Sequence, residues 1–274
     1  MIRCAFLVIF TCIWVSSVQG KTNCDKLGVN FYDFIGCPKQ NTGGDCPSYA
    51  DCKYERQPGK CVFNGKILSP EEPVKLGSLC RFGCFCDALN DTKGRFVCAQ
   101  GQCGHWGYPI EEGCYLQYEL DSCCGEKRCE RSAITCEVDG NTYKEGEKFE
   151  LKDECSVCIC SKDFKGKFDS ENCKRRDCDA EIEFSQQIED NCAPVYYKRD
   201  GSELLCCPST FVCPSEDDKI VKSEGTNSSL SCKYGEKSYG SDVTFTRSVH
   251  QYGRTREVTC KCILPPLFTC TADY

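Results

Sequence analysis

The sequence predicts a small disulfide-rich, mainly β protein. It is read as tandem modules arranged as an elongated chain, each a short antiparallel sheet half followed by a loop-rich, disulfide-stapled half. The first observation behind this is a repeat: Cys61, Cys80, Cys84, Cys86, Cys98, Cys103, Cys114, Cys123, Cys124 and Cys129 are matched, 75 residues later at the first position, by Cys136, Cys155, Cys158, Cys160, Cys173, Cys178, Cys192, Cys206, Cys207 and Cys213. Both sets read C-x18-C, C-x-C, C-x4-C and an adjacent Cys-Cys pair. A disulfide tolerates only a narrow range of Cα separations, so recurring offsets imply two copies of one stapled unit. The second observation is local. Gly65 and Gly140 sit four positions after the first cysteine, where a hairpin turn needs φ > 0, while Leu68/Tyr143 and Val74/Phe149 follow at seven and thirteen, as one face of paired strands requires. Third, units of this size bury little apolar surface, so bridges worth roughly 2–4 kcal/mol each carry much of the stability.

The compartment follows from the N-terminus and the cysteine count. Arg3, an apolar run from Cys4 to Val18, and Val18-Gln19-Gly20 read as a signal peptide over residues 1–20, the run being shorter than a membrane span. Its removal takes Cys4 and Cys12 and leaves an even 28 of the 30 cysteines, a density that in a secreted chain means a disulfide framework. The expected location is therefore extracellular, without a membrane anchor. Asn90-Asp91-Thr92 and Asn227-Ser228-Ser229 are glycosylation sequons that fit this route. A formal net charge of −7 argues against nucleic acid or anionic membrane as a partner. The stretch Lys174-Arg175-Arg176 reads as a solvated loop between cysteines, with a sulfated-glycan contact as the alternative.

The same register continues outside the two complete copies. Cys232 is followed by Gly235, Tyr239, Phe245, Cys260-Lys261-Cys262 and Cys270, which is the first half of the unit. Cys24, Cys37, Cys46 and Cys52 follow the second half, with Asp45-Cys46 where the complete units have Cys-Cys. The order is half, whole, whole, half: 21–53, 61–129, 136–213 and 232–274, with a linker at 214–231. That linker is the longest joint, so the last half is expected to be the loosest. The second halves, rich in cysteine and polar residues, are expected to be mostly loop.

At these residues the chain resembles the von Willebrand factor type C family, the cysteine-rich module of chordin-like extracellular proteins. The resemblance runs from Cys24 to Cys270 and departs from the family pattern in its two incomplete flanking modules. It implies a pairing of first cysteine with fourth, second with eighth, third with fifth, sixth with ninth and seventh with tenth. The first module would then hold Cys61–Cys86, Cys80–Cys123, Cys84–Cys98, Cys103–Cys124 and Cys114–Cys129. The second would hold Cys136–Cys160, Cys155–Cys206, Cys158–Cys173, Cys178–Cys207 and Cys192–Cys213. Only the second-to-eighth bridge joins the halves, and the flanking pieces lack those two cysteines, so they can close as Cys24–Cys46, Cys37–Cys52, Cys232–Cys262 and Cys260–Cys270. The C-x-C spacing agrees with this pattern, because residues i and i+2 of a strand face the same side and can staple one strand to two neighbours.

Catalytic chemistry is not legible. The chain has two histidines, His105 and His250, in different modules, and no G-x-S-x-G, HExxH or P-loop pattern. Cys155-Ser156-Val157-Cys158 has zinc-ligand spacing, but Cys160 and the whole-chain register favour disulfides in an oxidising compartment. No metal or cofactor is expected, no EF-hand loop is present, and Arg199-Asp200-Gly201 is not an integrin-type tripeptide.

A nonenzymatic secreted binding protein is the reading that remains. The resemblance implies as ligand a growth-factor dimer of the bone morphogenetic protein (BMP)/TGF-β class, bound through first halves. Candidate contact residues are Phe82 and Phe85 beside the first C-x-C strand, Val157 and Ile159 beside the second, and Ile263, Leu264, Leu267 and Phe268, an apolar run that a half module has no partner half to bury. The alternatives are a structural or adhesive matrix protein, or a cystine-rich venom- or saliva-type effector or protease inhibitor. For an inhibitor the sequence singles out no reactive loop, and the competing structural reading gives the same apolar residues to the modules' own small cores.

Overall fold

The computed structural model describes residues 24–40, 46–49, 52, 57–76, 80–90, 93–130, 132–199, 203–222, 230–241, 243–251 and 253–273. The signal segment 1–20 and Asn227 lie outside the described residues, as does the side chain of Asn90. Along the chain come helix α1 (Lys26–Phe34), then β1 (Cys61–Phe63), β2 (Lys66–Leu68), β3 (Pro73–Val74), β4 (Arg81–Asn90), β5 (Lys93–Gln100), β6 (Tyr115–Gln117) and β7 (Glu126–Arg128). The second copy has β8 (Thr135–Val138), β9 (Asn141–Lys144), β10 (Lys148–Leu151), β11 (Ser156–Ile159), β12 (Cys173–Arg175), helix α2 (Ala180–Glu189), β13 (Ala193–Arg199), β14 (Glu203–Leu204) and β15 (Thr210–Val212). Strand β16 (Lys219–Lys222) precedes β17 (Ser231–Tyr234), β18 (Lys237–Gly240), β19 (Val243–Gln251), β20 (Arg254–Lys261) and β21 (Thr269–Asp273).

Every first half opens with a hairpin. Asn64 (φ 49°) and Gly65 (φ 71°) form the two-residue turn between β1 and β2, and Asp139 (φ 50°) and Gly140 (φ 77°) repeat it between β8 and β9. Two successive positive-φ residues give a turn whose twist matches the strands it joins, which is why Asn-Gly and Asp-Gly occur there. Leu68, Tyr143 and Tyr239 face Cys61, Cys136 and Cys232 across the three hairpins. A small antiparallel sheet follows each hairpin: β3-β4-β5 in the first module and β10-β11-β12 in the second.

The C-terminal half differs, because its sheet does not stop at its own strands. Strands β16, β19, β20 and β21 continue through β13 and β14 into one seven-stranded sheet, with β15 also pairing β13. The β13–β21 pairing is parallel, Val195 opposite Cys270 and Tyr197 opposite Ala272. Strand β13 belongs to the second half of module 2, so this ladder fastens the last half module to the one before it. The core below it contains Val195, Tyr197, Tyr234, Phe245, Val258 and Phe268. The looseness expected of the last half is replaced by a central place in the largest sheet.

The second halves also hold more regular structure than their composition suggests. The segments between the sixth and seventh cysteines form α1 and α2. Asp25 caps α1, accepting from the amides of Leu27 and Gly28, and such a cap is worth about 0.5–2 kcal/mol. Both helices close alike: Gly36 (φ 68°) and Asn191 (φ 52°) adopt the left-handed conformation just before Cys37 and Cys192, whose amides reach back to the carbonyls of Tyr32 and Gln187. Sequence reading missed these helices because nine or ten residues with aromatic and β-branched members have little intrinsic helicity, and tertiary packing supplies the rest.

That packing also corrects the expectation of an elongated chain. Phe31, Tyr32 and Ile35 of the N-terminal piece share one core with Ala180 and Ile188 of α2 and with Leu264 and Leu267 of the C-terminal half. Phe31 and Phe184 both rest against Phe211, with ring centroids at 5.9 and 4.9 Å. Module 1 is held to the same assembly by α2: the Glu181 carboxylate, 3% exposed, accepts from the Asn64 amide at 3.0 and 3.1 Å, and Arg81 pairs with Asp179 and Glu183.

Candidate binding surface

The fourteen cysteine pairs written above are all bonded in the structure, with Cα separations between 4.0 and 5.8 Å. Cys80–Cys123 and Cys155–Cys206 each tie a first half to its second half. No sulfur among them remains for metal chemistry: Cys103, Cys123 and Cys124 gather within ligand distance of one another, yet Cys103 is bonded to Cys124 and Cys123 to Cys80. A disulfide sulfur offers no thiolate. In the second copy, Cys155 and Cys158 are likewise bonded, to Cys206 and Cys173.

The C-x-C strand of module 1 carries a β-bulge. Phe85 faces Val97 and Phe82 faces Ala99, so three steps on β4 match two on β5, and Gly83 (φ 60°) is the extra residue. The consequence is one of parity. In a regular strand Phe82 would share the face of Cys84 and Cys86, which are buried and bridged to Cys98 and Cys61. The bulge turns Phe82 onto the other face, with Phe85, Val97 and Ala99. There it is 57% exposed, Phe85 and Val97 are half-buried, and Ala99 is exposed. Phe82 also lies against Gly101, where an added Cβ would meet its ring at 3.2 Å. The strip is therefore apolar, partly solvated and stapled from behind by two disulfides.

The other candidates fare differently. Val157 is half-buried and Ile159 is 8% exposed, so the second copy offers a weaker version of the strip. Of the C-terminal run, Ile263 is 48% exposed, but Leu264, Leu267 and Phe268 fall to 8, 5 and 1%. Those three are withdrawn from the candidate surface. The reason is tertiary: Tyr32 of α1 donates to the Leu264 carbonyl at 2.9 Å and accepts from the Leu267 amide at 2.8 Å, and Phe268 packs edge-on to Tyr234, Tyr239 and Phe245. The half module does have a partner, and that partner comes from the other end of the chain.

The charges of Lys174-Arg175-Arg176 are engaged with Asp121, Asp33 and Glu150 respectively. Lys174 and Arg176 border a cleft of about 410 Å³ between the modules, beside Cys80–Cys123 and Lys148. Burial, with Lys174 nearby, pulls the Lys148 ammonium below its ordinary pKa. The histidines have different surroundings. His105 meets Trp106 and Tyr118 edge-on, while exposed His250 contacts Thr255 Oγ1 at 3.1 Å. Among the described residues no helix is long and apolar enough to cross a membrane.

A further exposed segment lay outside the sequence reading. Between Cys103 and Cys114, Trp106, Tyr108 and Ile110 are 51, 78 and 41% exposed. Gly104, Gly107 and Pro109 permit only a short 3₁₀ turn at Gly104–Gly107 where the other two copies form α1 and α2. The signal was present in the sequence as two glycines and a proline, but its meaning depends on knowing that the equivalent segments are helices.

Comparison of the chain with family models, curated proteins and solved structures gives no match in any of the three.

Proposed function

We propose that this is a secreted, nonenzymatic binding protein of the extracellular space, built of type C-like modules, that engages a growth-factor dimer of the BMP/TGF-β class. The observation that carries the reading is the bulge at Gly83. It spends a register break to place Phe82, 57% exposed, beside Phe85 on a face that the Cys84 and Cys86 bridges hold rigid. Exposed aromatics on a rigid backing are the kind of anchor from which protein interfaces draw most of their energy. Fourteen disulfides fit an oxidising compartment and supply that rigidity.

The test is binding of the oxidised chain to a panel of such dimers. Saturable binding that weakens about 10-fold or more on Phe82→Ala supports the reading, that loss being about 1.4 kcal/mol. No binding across the panel shifts the assignment to a structural matrix protein or a secreted effector of venom or saliva type.

A further inference from the structure

Three second halves and three first halves make up the chain, and two of the three hairpin turns are capped in the same way. Gly36, the residue before the seventh-position cysteine of the N-terminal piece, sits against the Asn64-Gly65 turn, so close that an added Cβ would meet Asn64 Cα at 2.9 Å. Asn191, the residue before the equivalent Cys192, accepts from the Gly235 amide at 3.1 Å and donates to its carbonyl at 3.3 Å. The helices that these residues close also bury apolar side chains: α1 against Leu264 and Leu267, α2 beside Phe211 and Leu267.

Among the described residues the third pairing is unmade. Gly113 (φ 83°) holds the equivalent place before Cys114, and Gly140 is the equivalent turn, yet a Cβ added at either would meet nothing within 4 Å. Module 1 instead contacts module 2 at the other end of β9, where the Tyr118 amide donates to the Gly146 carbonyl at 2.8 Å and Gln117 lies against Gly146. One chain thus carries an unused capping segment, 104–113, and an unused hairpin turn, Asp139-Gly140. Their chemistry is complementary. The segment presents Trp106, Tyr108 and Ile110 followed by exposed Glu111 and Glu112. The loop that packs beside the β8–β9 hairpin, anchored by Phe164 in the same core as Val138, carries exposed Lys162, Lys165 and Lys167.

We propose that segment 104–113 docks on the Asp139-Gly140 hairpin and the 162–167 loop of a second copy of this chain. In this arrangement the segment of each copy sits on the hairpin of the other, a reciprocal contact that closes into a two-fold dimer where a one-way contact would extend into a chain. The proposal does not rest on a growth-factor ligand.

The experiment is sedimentation of the oxidised full chain over a concentration series, each variant checked for absence of free thiol and for an unchanged unfolding midpoint. The expected result is a reversible monomer–dimer equilibrium. Trp106→Ser with Tyr108→Ser abolishes it, and Glu112→Lys or Lys165→Glu raises the dissociation constant about 10-fold. Mixing the Glu112→Lys and Lys165→Glu chains restores opposite charges at both contacts and with them the dimer, a rescue that a general folding defect does not give. Phe82→Ala leaves the equilibrium unchanged. A chain that stays monomeric to about 200 µM, or a dimer insensitive to Trp106 and Tyr108, overturns the proposal.

Discussion

Tyr32 and Leu267 stand 235 positions apart, and the Leu267 amide donates to the Tyr32 hydroxyl at 2.8 Å in a fully buried contact. The same hydroxyl donates to the Leu264 carbonyl at 2.9 Å. The N-terminal piece and the C-terminal half, neither a complete module, are joined through this phenol, the Thr269 hydroxyl donating to Asp25, and the apolar face around them.

Replacing Tyr32 by Phe keeps the ring and removes the hydroxyl, leaving a buried amide and a buried carbonyl unpaired. The expected loss is about 1–3 kcal/mol in a denaturant titration of the oxidised chain. The expected faster amide exchange at Leu267 localises it to this contact. No change in either measurement would show that the two ends do not meet through Tyr32.

Alkaline pH attacks the same region. Burial raises the Tyr32 and Tyr196 phenols above their ordinary value of 10.0, with the Asp25 carboxylate adding to the effect. The folded chain then keeps protons that the unfolded chain releases, so stability is full below about pH 10 and falls as pH rises past it. Each such tyrosine contributes up to about 1.4 kcal/mol per pH unit to the decline. Absorbance titration should show some tyrosines ionising only as the fold is lost; smooth titration of all of them near pH 10 would contradict their burial.

The bulge gives a prediction of parity. Deleting Gly83 makes Phe82 the immediate neighbour of Cys84, so regular alternation keeps it on the Phe85 face; ligand binding through the strip should survive the deletion, unlike Phe82→Ala, while the Cys84–Cys98 pair still forms. Binding lost by the deletion variant, with disulfide mapping showing Cys84–Cys98 intact, would tie recognition to the bulge itself and not to the face that Phe82 shares with Phe85.

Glu181 fastens module 1 to α2 through the Asn64 amide at 3.0 Å. Glu181→Ala should speed hydrogen exchange at Asn64 by about 10-fold or more, since removing a charged acceptor from a buried donor costs about 1.5–3 kcal/mol. Unchanged exchange would mean that Gly36 alone covers this turn.

The bridges between halves differ from those within them. Removing Cys80–Cys123 by paired Ser substitution is expected to cost about 2–5 kcal/mol while the other pairs still form. Peptide mapping under acid, which prevents thiol exchange, checks this and distinguishes Cys123 from Cys124.

The sequence by itself determined what is local or covalent. Cysteine spacing marked the repeat units, Gly65 and Gly140 marked the hairpins, and the C-x-C spacing of Cys84 and Cys86 marked a strand, because turns and strand faces are set by neighbouring residues. Tertiary structure alone decided the rest. Helices α1 and α2 are too short to be stable by propensity and exist because Phe31, Tyr32 and Ile188 find a common core. Leu264, Leu267 and Phe268 read as exposed because their partners lie far away in sequence, on α1 and in the β13–β21 sheet. The exposure of Phe82 turned on one extra residue in a ladder, which composition and spacing do not encode but strand pairing does.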